Sequence, residues 1–234
     1  MGARMMYFAN RNPALSPEEW PGRWRKHASY VAKAMNINPW FTWSAQCLCV
    51  REPHGIPGAT GRFDGMTLMG LRDEECRRKL HHMGHTSVFV RLDEMETFAE
   101  YVEHFTLNGE DAVIRDGAWG KGTIVVFTCL RRRHDVAPAA FHAALAAHVA
   151  RLSADRGFSA RLTRATVTQV GAPWPVRTDL RYDGIMELWF PDLDAARAAF
   201  TDASTAAILD EAAAYADTVA TERVVARINT AWTA

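Results

Sequence analysis

Neither sign of charge is in excess in this 234-residue chain, where 27 Lys and Arg balance 27 Asp and Glu. That excludes a general nucleic-acid binder and a protein held on anionic membranes, since both need a basic excess or stripe. There is no run of about 18 apolar residues, so no segment is expected to cross a bilayer as a helix. The opening MGARMMYFANRNP has no apolar stretch of the secretory type, and Met6 stands where a myristoylation signal needs Ser or Thr. Cysteine is scarce. Cys47, Cys49, Cys76 and Cys129 fit no zinc spacing. Cys47 and Cys49, two apart on one strand face, are poorly placed to bridge each other. Free thiols in a reducing cytoplasm are the expectation. No Walker loop, GxGxxG, nucleophile elbow or HExxH occurs. Standard motifs therefore give no support to ATP, nicotinamide or flavin. Haem is untouched by that argument, because it needs only one His or Tyr ligand and an apolar cavity.

What is present is an ordinary globular composition, 48% hydrophobic and 23% charged, long enough to bury a real core. It also conceals a repeat. Ser16 and Pro17 suit the cap and first turn of a helix whose apolar stripe carries Trp20, Trp24, His27, Val31 and Met35. In the second half Phe141, Leu145 and His148 follow Trp20, Trp24 and His27 at a constant offset of 121 residues. Met5–Phe8 precedes the first helix and Thr123–Phe127 the second, both strand-like. Phe63-Asp64-Gly65-Met66 recurs as Tyr182-Asp183-Gly184-Ile185 at an offset of 119, and each opens a strand, Met66–Leu71 and Ile185–Phe190. Strands over Phe41–Val50 and Ala160–Val170 and closing strands at Glu110–Ile114 and Glu222–Ala226 complete the pattern.

Each half therefore reads β-α-β-β-α-β, the ferredoxin-like order. The halves are residues 1–116 and 121–234, joined by the Gly-rich stretch from Asp116 to Gly122. Such a unit covers one face of its sheet with helices and leaves the other bare, so two units are expected to pack sheet to sheet.

The run Asn12-Pro-Ala-Leu-Ser-Pro-Glu-Glu-Trp20 with Trp24-Arg-Lys-His27-Ala resembles the opening of EthD-like proteins, members of the dimeric α+β barrel superfamily. Tyr182-Asp-Gly-Ile-Met-Glu-Leu-Trp-Phe190 followed by Asp194-Ala-Ala-Arg-Ala-Ala-Phe200 is closer still to that family's third strand and second helix. The resemblance implies an α+β fold, with tandem ferredoxin-like repeats forming within one chain the barrel that other members form by dimerising. It implies function more loosely, since the superfamily includes cyclases, dehydratases, isomerases, lyases, monooxygenases and haem-linked enzymes. The expectation is a cofactor-independent enzyme acting by His and carboxylate acid–base chemistry on a hydrophobic, aromatic or polyketide-like molecule. A monooxygenase or haem-linked enzyme and a non-catalytic binding protein are the alternatives. A monomer or homodimer would suffice, with no nucleic-acid or membrane partner.

His27 and His148 are catalytic candidates because a half-buried imidazole beside a cavity titrates near neutrality. The other reading is a hydrogen-bonded core histidine. Asp64 and Asp183 either orient these histidines or serve as turn residues before Gly. Glu187 shares a strand face with Asp183, Ile185 and Trp189, and it is costly to bury unless it is used or paired, with Arg131 or Arg227 as partners. Leu68 and Gly70 occupy the matching first-half positions, which predicts unequal sites and extra room at Gly70. The first half carries seven extra residues around its second helix, including His81-His82-Met83-Gly84-His85. That spacing is no recognised ligand set, so no metal is expected, and a loop or lid is the preferred reading. Phe8, Asn10, Trp24, Trp43, Gly70, His85 and Trp189 are the candidate substrate contacts.

Overall fold

A computed structural model of the chain describes residues 2–51 and 54–233, and at residue 85 the backbone alone. The strands are β1 (Gly2–Ala9), β2 (Phe41–Cys49), β3 (Gly65–Leu71), β4 (Thr106–Arg115), β5 (Ile124–Leu130), β6 (Arg164–Gly171), β7 (Gly184–Phe190) and β8 (Glu222–Thr233). The helices are α1 (Trp20–Met35), α2 (Glu74–Thr86), α3 (Val88–Thr97), α4 (Pro138–Ala154), α5 (Arg156–Ser159), α6 (Leu193–Thr201) and α7 (Ala203–Asp210). Among the described residues no helix is long and apolar enough to cross a membrane.

All eight strands are antiparallel and close into one barrel in the order β1-β3-β2-β8-β5-β7-β6-β4. Within each half the order is the same, β4-β1-β3-β2 and β8-β5-β7-β6. The halves are joined edge to edge, by β2 on β8 and β4 on β6. Sheet-to-sheet packing alone would have left four strand edges open. Hydrogen-bonded closure removes them, with the bare faces turned inward and the helices outside.

Strand alternation sorts the side chains. Arg4, Met6 and Phe8 pair with Gly70, Leu68 and Met66 and face the barrel interior, whereas Met5 and Tyr7 pair with Met69 and Thr67 and face the helices. In the second half Val125, Phe127, Ile185 and Trp189 point inward, while Val126, Leu188 and Phe190 join the helix-covered core.

The two Asp-Gly pairs have a shared structural cause. A Cβ on Gly65 would sit 2.7 Å from Trp24 and 2.8 Å from Trp20, and one on Gly184 would sit 2.6 Å from Leu145. The glycines let the helix aromatics lie directly on the strand. The aspartates anchor the preceding strand: Asp64 accepts from the Arg11 backbone N–H at 2.9 Å, and Asp183 accepts from the Arg132 N–H at 2.9 Å.

Two local expectations shift. Helix α1 starts at Trp20, because Ser16 and Glu19 bond each other reciprocally ahead of it: the Ser16 N–H donates to Glu19 Oε2 at 2.9 Å, and the Glu19 N–H donates to Ser16 Oγ at 3.2 Å. The residues His81–His85 form the last turns of α2 rather than a loop.

Candidate active site

A cavity of about 790 Å³ lies between the outer face of β4-β1-β3-β2 and helices α1, α2 and α3, bounded on one side by the end of β8. It is within the size range of small-molecule sites. On the helix-covered face of the second half Val149, Leu152, Phe158, Phe190 and Phe200 are all buried in one apolar cluster. The halves therefore share a scaffold, while the cavity described above is lined mainly by the first half.

Register fixes the floor. Thr106, Tyr7, Thr67, Gln46 and Thr230 stand opposite one another on successive strands and all line the cavity. The neighbouring row contributes Met5, Met69, Ser44 and Trp232. The polar row thus crosses five strands and the largely apolar row four, and in each the last strand, β8, belongs to the second half.

His27 reaches the cavity from the buried stripe of α1, behind Trp20 and Trp24. Its Nδ1 lies 2.6 Å from Asp93 Oδ2 on α3, and its ring meets Phe98 edge-on with centroids 5.2 Å apart. Burial holds the imidazole below its ordinary pKa, although Asp93 pulls the other way. Burial would raise the Asp93 carboxyl, but hydrogen bonds from Arg23 and His27 outweigh it and keep the carboxyl below its usual range. An ionised Asp93 can only accept, so the neutral ring carries its proton on Nδ1 and keeps a lone pair on Nε2. The arrangement is a base with its orienting carboxylate.

Glu94, next along α3, also lines the cavity and is buried. Burial pushes its carboxyl up to about 7, against the Val102 N–H that donates to Oε2 at 3.2 Å. Tyr7, pushed up to about 12 by burial with Glu94 adding to the effect, accepts from Trp24 Nε1 at 3.2 Å. The cavity thus holds an imidazole that burial favours in its neutral form and a carboxyl that titrates at about 7. Divergent environments of this kind assign acid and base roles.

Of the acid–base candidates from the sequence, His27 alone lines the cavity. His148 is fully buried in the second core, its Nδ1 2.6 Å from the Tyr215 hydroxyl, and burial lowers its pKa. Where the first half pairs histidine with aspartate, the second pairs it with tyrosine. The Asp64 carboxylate is held by Arg11 and Arg51 and that of Asp183 by Arg132, so neither carboxylate orients His27 or His148. Glu187 is not a cavity residue. It accepts two hydrogen bonds from Arg4 Nη2 inside the barrel, at 2.7 and 2.8 Å. Its expected partner Arg131 instead donates to the Thr178 and Asp179 carbonyls.

Among the substrate-contact candidates, Phe8 packs in the barrel on Phe63 at 5.0 Å. Trp43 lies over Arg4, and Trp189 stacks edge-on to Trp119 at 5.3 Å. Gly70 opens no room, because a Cβ there would lie 2.2 Å from Trp43 Nε1. Trp24 supports the cavity from behind through Tyr7. Asn10 follows β1, and its carbonyl accepts the Ala99 N–H at 3.0 Å. The His85 side chain lies outside the described residues, while its neighbour His81 lines the cavity. Sequence reasoning missed Asp93, Glu94, Tyr7 and Gln46. A signal existed for the first two: adjacent carboxylates in Leu92-Asp93-Glu94-Met95, within the segment that has extra length in the first half.

Residues 133–219 match the family model described as EthD domain, within the second half. No curated protein matches the chain in sequence. The solved structure of an anthrone oxidase-like protein superposes with a TM-score of 0.65 at 13% identity, over 99% of this chain and 92% of that one. A candidate monooxygenase from Fusobacterium nucleatum gives 0.60 at 9% identity, over 99% and 94%. A haem-binding protein from Thermus thermophilus gives 0.51 at 11% identity, over 97% and 90%. At these identities the likeness is one of fold.

Proposed function

From the premise that residues 133–219 are an EthD domain, we propose that the chain is a cofactor-independent acid–base enzyme whose single working cavity lies in its first half. The observation that carries this reading is the His27–Asp93 pair, 2.6 Å apart, with its ring on the wall of a 790 Å³ cavity. Residues 1–116 and 121–234 are read as two ferredoxin-like units, the second retained for the barrel it closes. The substrate is a hydrophobic, flat molecule with a carbonyl group. His27 Nε2 removes a proton from carbon next to that carbonyl, Asp93 stabilises the imidazolium, and Glu94 gives its proton to the developing enolate oxygen. Aldol-type cyclisation, β-elimination of water and double-bond isomerisation each have such a proton abstraction as their opening step.

The test is deuterium exchange at the acidic methylene of anthrone in D2O, followed by NMR across pH. His27 must be neutral, so the rate should rise through a limb below its ordinary pKa. Glu94 must be protonated, so the rate should fall above about 7. Glu94→Gln should remove the alkaline limb and keep the acid one. A pH-independent rate, or none above the buffer, would contradict the proposal.

One observation favours a second reading. A histidine bonded through Nδ1 to a carboxylate on the wall of a cavity would also suit a haem ligand. His27 would hold the iron, and the group would supply redox chemistry. Hemin titration decides: a Soret shift abolished by His27→Ala would replace the acid–base reading.

A further inference from the structure

The side of the cavity where β2 meets β8 is built from both halves of the chain. There the Thr230 hydroxyl of β8 donates to Gln46 Oε1 of β2 at 3.1 Å, across the seam that closes the barrel. With Oε1 turned to Thr230, the amide brings its Nε2 donor to the cavity that Gln46 lines, and that nitrogen has no partner among the described residues. Trp232, two residues beyond Thr230 on the same strand face, stands beside it opposite Ser44. Its ring is 45% exposed and also lines the cavity.

We infer that Gln46, Thr230 and Trp232 form a recognition subsite that reads a second acceptor oxygen on a flat substrate. Gln46 donates to that oxygen, Thr230 fixes the amide, and Trp232 covers the ring that bears it. The inference rests on the acid–base reading for the position of the first carbonyl, near Glu94 and Tyr7. Tyr7 and Gln46 stand in one register row with Thr67 between them, so the two oxygens should be about 10 Å apart, two strand spacings of roughly 4.8 Å. The subsite also gives the second half a role at the working site. The strand that supplies Thr230 and Trp232 belongs to it, so the cavity is incomplete in the first half alone.

The experiment compares 2,6-diacetylnaphthalene with 2-acetyl-6-isopropylnaphthalene, which share an outline and differ by one acceptor oxygen. Binding is read by quenching of tryptophan fluorescence. The diacetyl compound should bind about three- to tenfold more tightly, the worth of one hydrogen bond between neutral groups. Gln46→Leu should bring the ratio to about one without weakening the isopropyl compound, and Gln46→Glu should invert it, because a carboxylate repels the second carbonyl. Thr230→Val should shrink the ratio by freeing the amide, and Trp232→Phe should remove most of the quenching. His27→Ala should abolish exchange at anthrone yet keep the ratio, which separates this inference from the acid–base reading. A wild-type ratio in either Gln46 variant, full quenching in Trp232→Phe, or no saturable binding of either probe would overturn it. If Gln46→Leu does not fold, Gln46→Glu and Thr230→Val decide the matter.

Discussion

His27→Ala should lower catalysed exchange by about 10²- to 10⁴-fold, the usual contribution of a positioned general base, with the fold intact. Asp93→Asn should also cost activity, and by a different route. The amide keeps a contact to Nδ1 but loses the charge that stabilises the imidazolium and selects the tautomer with its lone pair on Nε2. The effect should fall mainly on the rate constant, with little change in the affinity for anthrone. His148→Ala provides the contrast. That ring is sealed in the second core against Tyr215, so its removal should lower the melting temperature and leave the exchange rate per folded molecule unchanged. The two histidines occupy equivalent positions in the repeat, which makes the comparison sharp. Equal losses from both, or loss from His148→Ala alone, would show that the chemistry does not sit in the first-half cavity.

The repeat was legible because a helix stripe and a strand alternation leave regular marks in sequence. Trp20, Trp24 and His27 mark one helix face, and their counterparts 121 residues later mark another. That was enough for the strand order within each half and for one residue on the cavity wall, His27. The carboxylate beside His27 was not legible. Asp93 comes from α3, some 66 positions away, in the part of the chain where the first half is longer than the second. The repeat therefore offered no template for it. Asp64 was the wrong choice because its recurrence has another cause: it and Asp183 tie down the chain after β1 and β5 through Arg11 and Arg132. Gly70 was misread for a related reason. Alternation gives the face a residue points to but not what fills the space opposite, and Trp43 fills it. Unequal halves were expected, yet what separates them is the cavity lined mainly by the first half and Asp93 standing where Tyr215 stands. Neither follows from Leu68 and Gly70.

Glu187→Ala should be among the most destabilising single changes in the chain. The carboxylate and Arg4 are both fully buried in the barrel interior, on β7 and β1, which are not neighbours in the sheet. Arg4 Nη1 also reaches Asp111 at 3.2 Å, its guanidinium lies over Trp43 at 4.3 Å, and Thr168 donates to Glu187 Oε1 at 3.2 Å. Removing the carboxylate leaves a buried cation with only the partly exposed Asp111 to offset it, which costs about 3–5 kcal/mol. For a chain of this size that is a fall in melting temperature of about 10 °C. Glu187→Gln should fall between, since the amide still offers an oxygen to Arg4 and Thr168. The double change Arg4→Met with Glu187→Leu should recover most of the loss, because two apolar side chains remove the unpaired charge along with its partner. The pair faces inward while the cavity lies on the outer face of the sheet, so folded Glu187→Gln should exchange deuterium into anthrone at the wild-type rate. Thermal melts of the three variants beside that assay are decisive. A stable but inactive Glu187→Gln would return the glutamate to the chemistry, whereas a destabilised but active one fixes it as the brace that ties β1 of the first half to β7 of the second across the barrel.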